Sequence, residues 1–573
     1  MRNLIETLES RQHLSITHLQ LHAPKLPVSR APVAQVAAVS PITPQSNRAR
    51  PAVGTAENLL SSDQVRQILS QAASQARPGQ AVAVSDREGN ILGVFATTGA
   101  TQDSISKAMA RARTGAYFQS TQNAFTTRTA RFIIQDHFPW PIRNTAGGPL
   151  YGVQFSTLPG GDIVSAAQTP GVSGDPGGLP LFFNGNRPAG GIGVAGDGRD
   201  IAPRANLASA GQRVFNGREE SDFDESVALA GASGARAPAN LRLNMMPRES
   251  IRATKIFLPG PGLRFPFVNS PTARGRAFQT LDQLVASGAG TITTAPTATV
   301  ANPYPKVDAS RFGIAGELKN TTLPGFGFQP SNDPVSDDQR LTLADVETIF
   351  GNAVRQALSD RAAIRLPIGV PVIVHIAVTD RDGDVLGVFR MNDGTNFSFD
   401  VAVQKARTSA FFSDDAHAFS TRAIGFMGQK FFAPGISSGG TSGPLFELQN
   451  QLSLTPGNLG SGPLANGITI FPGGVPLYKN GVLVGAIGVS GDGVEQDDRV
   501  AFGGAAGFQP RTEIRVDSLN NGETARFITS RVAALEARYT TSRDFTEQAR
   551  SRFAAKFDFR VPYVKFARNP EID

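Results

Sequence analysis

The sequence predicts a duplicated α/β (α+β) fold, each copy an antiparallel sheet with helices packed against it. Three observations predict it. GGVPLYKNGVLVGAIGVSGDG at 473–493 reads as two short strands around an Asn-Gly turn, and GGLPLFFNGNRPAGGIGVAGDG at 177–198 repeats it. VSDREGNILGVF at 84–95 returns as VTDRDGDVLGVF at 378–389, a shift of 294. That shift also lays Ala112-Arg113-Thr114 on Ala406-Arg407-Thr408 and Phe125-Thr126-Thr127-Arg128 on Phe419-Ser420-Thr421-Arg422, with no gap. Each copy then runs helix, hairpin, helix, hairpin, helix, an order that implies a sheet with helices packed on it.

The elements follow in order. A first helix is expected at 61–76, with Ser62 or Asp63 as N-cap, and at 343–358, with Asp345 as cap. Two strands flank the Asp-x-x-Gly turns at 86–89 and 380–383. A second helix has apolar residues at helical spacing over 104–118 and 398–412. A Gly/Pro-rich loop leads to the repeated hairpin, whose glycines let backbone approach closely. The run then enters an acidic helix start, Glu495-Gln496-Asp497-Asp498. In copy one an insertion near 199–221 displaces that start to Asp222-Phe223-Asp224-Glu225. RFPFV at 264–268 matches RVPYV at 560–564, which brings the C-terminal segment into the second repeat. The expected organisation is a disordered N-terminal segment and linker over 1–57, a first domain over 58–269, an interdomain linker over 270–335 and a second domain over 336–573.

Composition bounds the chemistry. A chain of 573 residues holds two or more domains. Cys 0 excludes disulfides, thiolate metal sites and cysteine nucleophiles. A net charge of +7 over this length, without Lys/Arg clusters interleaved with aromatics, argues against nucleic acid. No apolar run reaches the 18 or more residues of a transmembrane segment. The stretch LESRQHLS at 8–15 resembles a short motif of large exported proteins in envelope-rich bacteria. It sets an expectation of export or association with the cell envelope, with a cytoplasmic location as the alternative.

The motif order carries a wider resemblance. Asp-x-x-Gly after an apolar strand, Lys405-Ala406-Arg407-Thr408, Gly-Gly-x-Pro-Leu, Asn-Gly, Gly-x-Ile-Gly-Val-Ser-Gly and Glu495-Gln496-Asp497 resemble the GlcG/HbpS-like family of haem-binding or haem-degrading domains. The C-terminal domain of some corrinoid adenosyltransferases is similar. The resemblance covers each copy, copy two more closely, since copy one has Arg111 in place of Lys405. It implies tandem profilin-like domains, each a five-stranded antiparallel sheet with helices on both faces, which self-associate and bind haem or a related tetrapyrrole for capture, storage or sensing. Haem degradation, and a structural or interaction protein of the envelope that has lost the ligand, are the alternatives. Whether the chain is an enzyme stays open, and no catalytic residue is assigned.

For haem, the residues offer an axial donor, cations or hydroxyls for propionates, and aromatic walls. No histidine is shared by the copies: His417 aligns with Asn123 and His137 with Phe431, while His375 leads into a strand. His417 is the expected iron ligand, four residues before Thr421 and on its face if that segment is helical, with His137 a further donor. Thr127/Thr421 and Arg128/Arg422, read as ending the central helical region beside Phe125 and Phe419, are expected around a planar anionic ligand, with Arg422 or Lys405 as the propionate partner and Arg111 among the binding residues of copy one. Arg111 and Arg113 lie two apart on one helix, so at most one of them faces a pocket. Asp86/Asp380 and Asp197/Asp492 are expected to be turn residues. No Ser/His/Asp order and no metal-spaced His/Glu pair emerges.

Overall fold

The computed structural model describes residues 59–133, 173–199, 221–242, 267–319, 327–428, 442–448, 463–538, 544–554 and 561–564, apart from positions 186, 302–303, 368 and 470–471, together with strand pieces at 245–246 and 263–264. His137, the insertion near 199–221 and the segment 1–57 lie outside the described residues.

Copy one runs α1 (Ser62–Gln75), β1 (Ala81–Asp86), β2 (Ile91–Thr97), α2 (Gln102–Tyr117), β3 (Gln119–Ser120), β4 (Asn123–Ala124), α3 (Thr127–Ile133), β5 (Gly178–Phe183), β6 (Arg187–Ala195), α4 (Phe223–Gly231), β7 (Met245–Met246), β8 (Leu263–Arg264), α5 (Leu281–Ala286) and β9 (Gly290–Thr294). Copy two runs β10 (Lys306–Val307), α6 (Ala309–Phe312), β11 (Gly316–Leu318), α7 (Leu343–Ser359), β12 (His375–Asp380), β13 (Val385–Met391), α8 (Ser398–Phe411), α9 (Thr421–Met427), β14 (Gly474–Lys479), β15 (Val482–Ser490), α10 (Val494–Gly504), α11 (Asn521–Arg538) and α12 (Phe545–Ala554). Among the described residues no helix is long and apolar enough to cross a membrane.

The helix starts show which side chains reach free N–H groups. Ser61, one residue ahead of the expected Ser62 or Asp63, caps α1 and closes a capping box with Gln64. Thr342 caps α7, and Asp345 is the third helical residue, reaching back to the Thr342 amide. Only a residue just outside the first turn, with extended backbone, can aim its oxygen at the N–H groups inside it. The Asp-x-x-Gly aspartates do act in turns: Asp86 accepts from the Asn90 amide and Asp380 from the Asp382 and Asp384 amides. The β14–β15 turn places Asn480 and Gly481 at φ +50° and +84°, the left-handed pair that matches strand twist.

Beside the two-stranded pairs β3-β4 and β7-β8, the two large sheets are antiparallel, ordered β5-β6-β1-β2-β9 in copy one and β10-β11-β13-β12-β15-β14 in copy two, so the second has one strand more than the expected five. In copy one, strand alternation sends Val82, Val84, Phe95, Ile192 and Val194 toward α1 and α4. It sends Ala81, Ala83, Val94 and Ala195 toward α2. The small face permits a close fit: a Cβ on Gly193 would stand 2.0 Å from the Ala108 carbonyl oxygen, and one on Gly488 1.9 Å from that of Ala402.

The stretch 270–335, expected to be a linker, is instead built into both sheets. β9 pairs with β2, and β11 pairs with β13. The reason is the sheet edge: without β9 and β11, β2 and β13 would present bare N–H and C=O rows. β9 is short and Thr-rich, and β11 has three residues, so neither carries a legible alternating pattern. The C-terminal match is structural as well. The Thr126 hydroxyl donates to the Phe267 carbonyl at 2.6 Å, and Ser420, at the equivalent position, donates to the Tyr563 carbonyl. Tyr563 is fully buried in the core of copy two. Tyr563→Ala should therefore lower unfolding stability by about 3 kcal/mol, as large-to-small core changes do. Urea denaturation checks it, and an unchanged midpoint would show that the tail is not part of the core.

Candidate functional site

The repeated cations and the acidic helix starts meet in the interior. In copy one, Arg111 Nη1 on α2 donates to Asp224 on α4 at 2.8 Å and to the Val194 carbonyl at 2.6 Å. In copy two, Lys405 Nζ on α8 donates to Asp497 on α10 at 2.8 Å and to the Val489 carbonyl at 2.7 Å. The second pair of cations behaves likewise. Arg128 holds Glu225 through two bonds of 2.8 and 2.9 Å. Arg422 holds Asp498 at 2.7 Å and Glu495 at 3.2 Å. Burial presses Lys405 and Asp497 toward their neutral forms, and their mutual attraction opposes it.

The Gly-Gly of the hairpin motif is laid against these pairs. Gly177 and Gly473 sit at φ +118° and +119°, and a Cβ on Gly473 would meet Lys405 Nζ at 2.8 Å and Asp497 Cβ at 2.9 Å. Thr127 and Thr421 accept from the Gly178 and Gly474 amides at 3.0 and 2.8 Å. These Thr/Arg pairs begin the short helices α3 and α9 rather than end a helical region. Arg113 and Arg407 point the other way, to the Gly89 and Gly383 carbonyls, so only one cation of each close pair faces the acidic helix.

The expected haem residues are thus brought together in part. Lys405, Thr421 and Arg422 converge on one end of β14 and α10, and Arg111, Thr127 and Arg128 on the matching end of copy one. Each is bonded to a carboxylate or a strand amide. His417 stands apart. It lies in the turn before α9, not on a helix with Thr421. Its Nδ1 is 2.9 Å from Asp414, its Nε2 is 3.7 Å from Glu523, and its ring stacks on Phe527 with centroids 4.1 Å apart. Phe419 stacks on the same Phe527 at 5.2 Å, and Phe125 packs against Phe118. Tested against haem, this set does not fit as it stands: its cations and hydroxyls are engaged, and its imidazole is fixed edge and face.

A second cluster, at the junction of the two copies, was not read from the sequence. Glu88 of copy one accepts from Lys319 at 2.5 Å and from Arg390 and Asn396 at 3.0 Å, all of copy two. Asp393 of copy two bonds Arg87 at 3.2 Å and Arg365 at 3.3 Å, and takes the Thr121 amide at 2.9 Å. Phe118 stacks on Phe397 at 4.4 Å. His375, the first residue of β12, is fully buried beside Phe399, and neither ring nitrogen has a hydrogen-bond partner. Burial first, then Lys319, Arg390, Arg87 and Arg365, holds it well below the usual imidazole range, so it is neutral. For His375 the fit to a metal-centred ligand is better: it is an orphaned buried donor. The signal for this cluster lay in mismatches within the gap-free repeat, where Arg390, Asp393, Asn396 and Phe397 fall on Ala96, Gly99, Gln102 and Asp103.

Among the described residues one acidic group has metal-like spacing, Asp197, Asp222 and Asp224. Its oxygens already cap α4 or pair with Arg111, with Asp197 accepting from the Phe223 amide and Asp222 from that of Glu225. Burial, then Asp197, pushes the Asp222 carboxyl up to about 7.

Two outcomes follow from these charges. Lys405→Met should cost about 3–5 kcal/mol by stranding Asp497, while Lys405→Met with Asp497→Leu should recover most of it; equal loss in single and double variants would show that the pair is not the cause. At the junction, burial raises the Glu88 carboxyl, but Lys319 and Arg390 outweigh it and hold it down to about 2. A carboxyl lowered in the fold adds stability above 4.5 that is lost as pH falls toward 2. A depressed imidazole such as His375 loses stability as pH falls below 6.5. Acid unfolding should therefore begin below about pH 6.5 and steepen below about 4.5, and Glu88→Gln should flatten the lower limb without abolishing it, because Glu317 and Asp345 are also held low. An identical profile in Glu88→Gln would mean that the junction is not held by this charge.

Comparison with known proteins bears on this architecture. The profile of the family described as haem degrading protein HbpS-like matches residues 60–202 and 341–506, more than half of the chain. An uncharacterized 15.0 kDa protein of the dhaT-dhaS intergenic region of Citrobacter freundii is 31% identical over 159 residues, 28% of this chain and 89% of that protein. The corrinoid adenosyltransferase PduO of Salmonella typhimurium is 26% identical over 194 residues, 34% of this chain and 46% of that enzyme. Among solved structures, the PduOC:haem complex is 23% identical, covering 30% of this chain and 98% of that one, with a TM-score of 0.21. The two matched segments carry four strands of each sheet and the paired cations, and the chain belongs to the HbpS-like family.

Proposed function

We propose that the chain binds haem or a related tetrapyrrole, with His375 at the junction of its two domains as the iron ligand. The carrying observation is the orphaned, fully buried, neutral imidazole of His375 among cations from both copies. An iron centre accepts a neutral imidazole nitrogen, and cations suit the propionates. Bound haem would supply a metal open to ligand exchange. The chain's own residues supply the donor and the Phe399 ring beside it, while Lys319 and Arg390 hold Glu88 and reach propionates only where that carboxylate is displaced. Because His375 is covered, the ligand reaches it only as the Glu88 and Asp393 contacts part. The self-association expected of these domains is met, in this reading, inside the chain by copy one docking on copy two. Export or an envelope location is proposed from the 8–15 motif.

A second reading is a structural or interaction protein without ligand. It is favoured by Arg111, Arg128, Lys405 and Arg422, each engaged with a buried carboxylate. Haemin titration of the purified chain, followed at the Soret band, separates the two. The expected result is a band lost in His375→Leu, kept in His417→Ala, and reached faster in Glu88→Gln. A band lost only in His417→Ala would move the site to copy two, and no band in the wild-type chain would leave the structural reading.

A further inference from the structure

The contact between the copies is head-to-tail. Copy one offers Arg87, Glu88 and the loop 117–122; copy two receives them with Lys319, Arg365, Arg390 and residues 393–397. The Leu366 amide donates to the Gln122 carbonyl at 2.8 Å, and Phe118 stacks on Phe397. The surfaces equivalent to these two, 381–382 with 411–416 on copy two and 96–103 on copy one, take no part in it. A heterologous contact of this kind propagates from unit to unit unless it closes or is capped.

Both free ends differ from the joined ones. On copy two, α11 packs against one side of the loop that matches the docking loop of copy one, while Asp415 and Ala416 of that loop stay exposed. Arg531 Nη2 donates to the Ser413 carbonyl at 2.7 Å, and Phe527 lies on His417 and Phe419. Arg381, the counterpart of Arg87, turns to Asp333 of its own domain at 3.3 Å. What is left is a depression of about 340 Å³ walled by Arg381, Asp382, Phe411, Asp414 and Arg531. On copy one, the receiving face lacks the charges of Glu317, Lys319, Arg390 and Asp393, and Asp103 stands where copy two has Phe397. β9 and β11 hold the same place in their sheets, with Thr291 facing Ala96 where Glu317 faces Arg390. Across the register shift in β9, Thr294 faces Val94 as Lys319 faces Val388, so Thr294 stands for Lys319, and Gly99, at φ +82°, stands for Asp393, at φ +69°. Thr98, Gly99, Thr101, Gln102 and Asp103 are exposed, whereas 393–397 are buried.

We propose that α11 is a terminating cap. It packs over Ser413 and His417, beside the surface of copy two equivalent to the one by which copy one docks, so a second copy of this chain approaching the exposed Asp382, Asp415 and Ala416 meets α11 and finds no receiving face carrying the charges of Lys319, Arg390 and Asp393. The fused pair is a closed unit of a head-to-tail array.

Sedimentation velocity tests this with two sets of changes in the full chain. Ala96→Arg, Gly99→Asp and Thr294→Lys restore the receiving face, and Phe527→Ala with Arg531→Ala loosens the cap. The wild-type chain and each set alone should sediment as single chains. Both sets together should at least double the weight-average mass as concentration rises. Association of the wild type, association of the receiving-face set with α11 intact, or a folded combined variant that stays single would each overturn the cap. Should the combined variant not fold, hydrogen exchange of the wild type decides: amides of 413–417 as slow as those of 119–123 support cover by α11, and exchange at unprotected rates refutes it.

Discussion

Each domain depends on one buried cation that crosses from the helix on one face of the sheet to the acidic start of α4 or α10. Arg111 and Lys405 do this at the same place with different heads, each taking an aspartate and a strand carbonyl. The pair constrains its neighbours. The helix must lie close enough for its cation to pass the end of β6 or β15, which demands the small-residue face beneath it. The chain entering β5 or β14 must pass against the ion pair, which demands glycine with a left-handed φ. A second cation, Arg128 or Arg422, ties the next acidic residue to the short helix before the loop. Desolvating such charges is expensive, so their benefit lies in breaking badly if any partner is missing, which selects one arrangement of the helices over others.

The same logic explains why the motif residues are poor ligand groups. A cation that completes a buried pair is not available to a propionate unless its carboxylate is displaced. The paired residues therefore read as the frame of the domain. The chemistry left over is at the junction, where the two copies are no longer equivalent and where His375 lies buried without a partner.

Duplication made that inequivalence possible. Once two domains share a chain, equivalent surfaces are free to diverge. Copy one docks through its Asp-x-x-Gly turn and the loop after α2, and copy two receives. Arg390, Asp393 and Phe397 are held by contacts that Ala96, Gly99 and Asp103 do not make. Charged pairs, rather than a broad apolar patch, dominate the junction, and pairs of this kind give register and orientation in preference to raw affinity.

Much was legible in the sequence because local rules act there at short range. The hairpins follow from Asn-Gly between apolar runs, the helices from apolar spacing and acidic starts, and the duplication from a shift that needs no gap. The Gly-Gly-x-Pro motif was readable as a close approach of backbone. What the tertiary structure alone decided is the choice of partners. The sequence offered Lys405 and Arg422 as free cations, but whether a charge is free depends on which carboxylate folding brings near it. Asp497 lies 92 residues from Lys405 and Asp498 lies 76 from Arg422, yet each pair closes to 2.8 or 2.7 Å. His417 stood out by its spacing from Thr421, but that spacing has meaning only on a helix, and the segment is a turn pinned by Phe527 from a helix far along the chain. The edge strands within 270–335 were likewise invisible, because a strand of three to five residues is stabilised by the edge it covers and not by any pattern of its own.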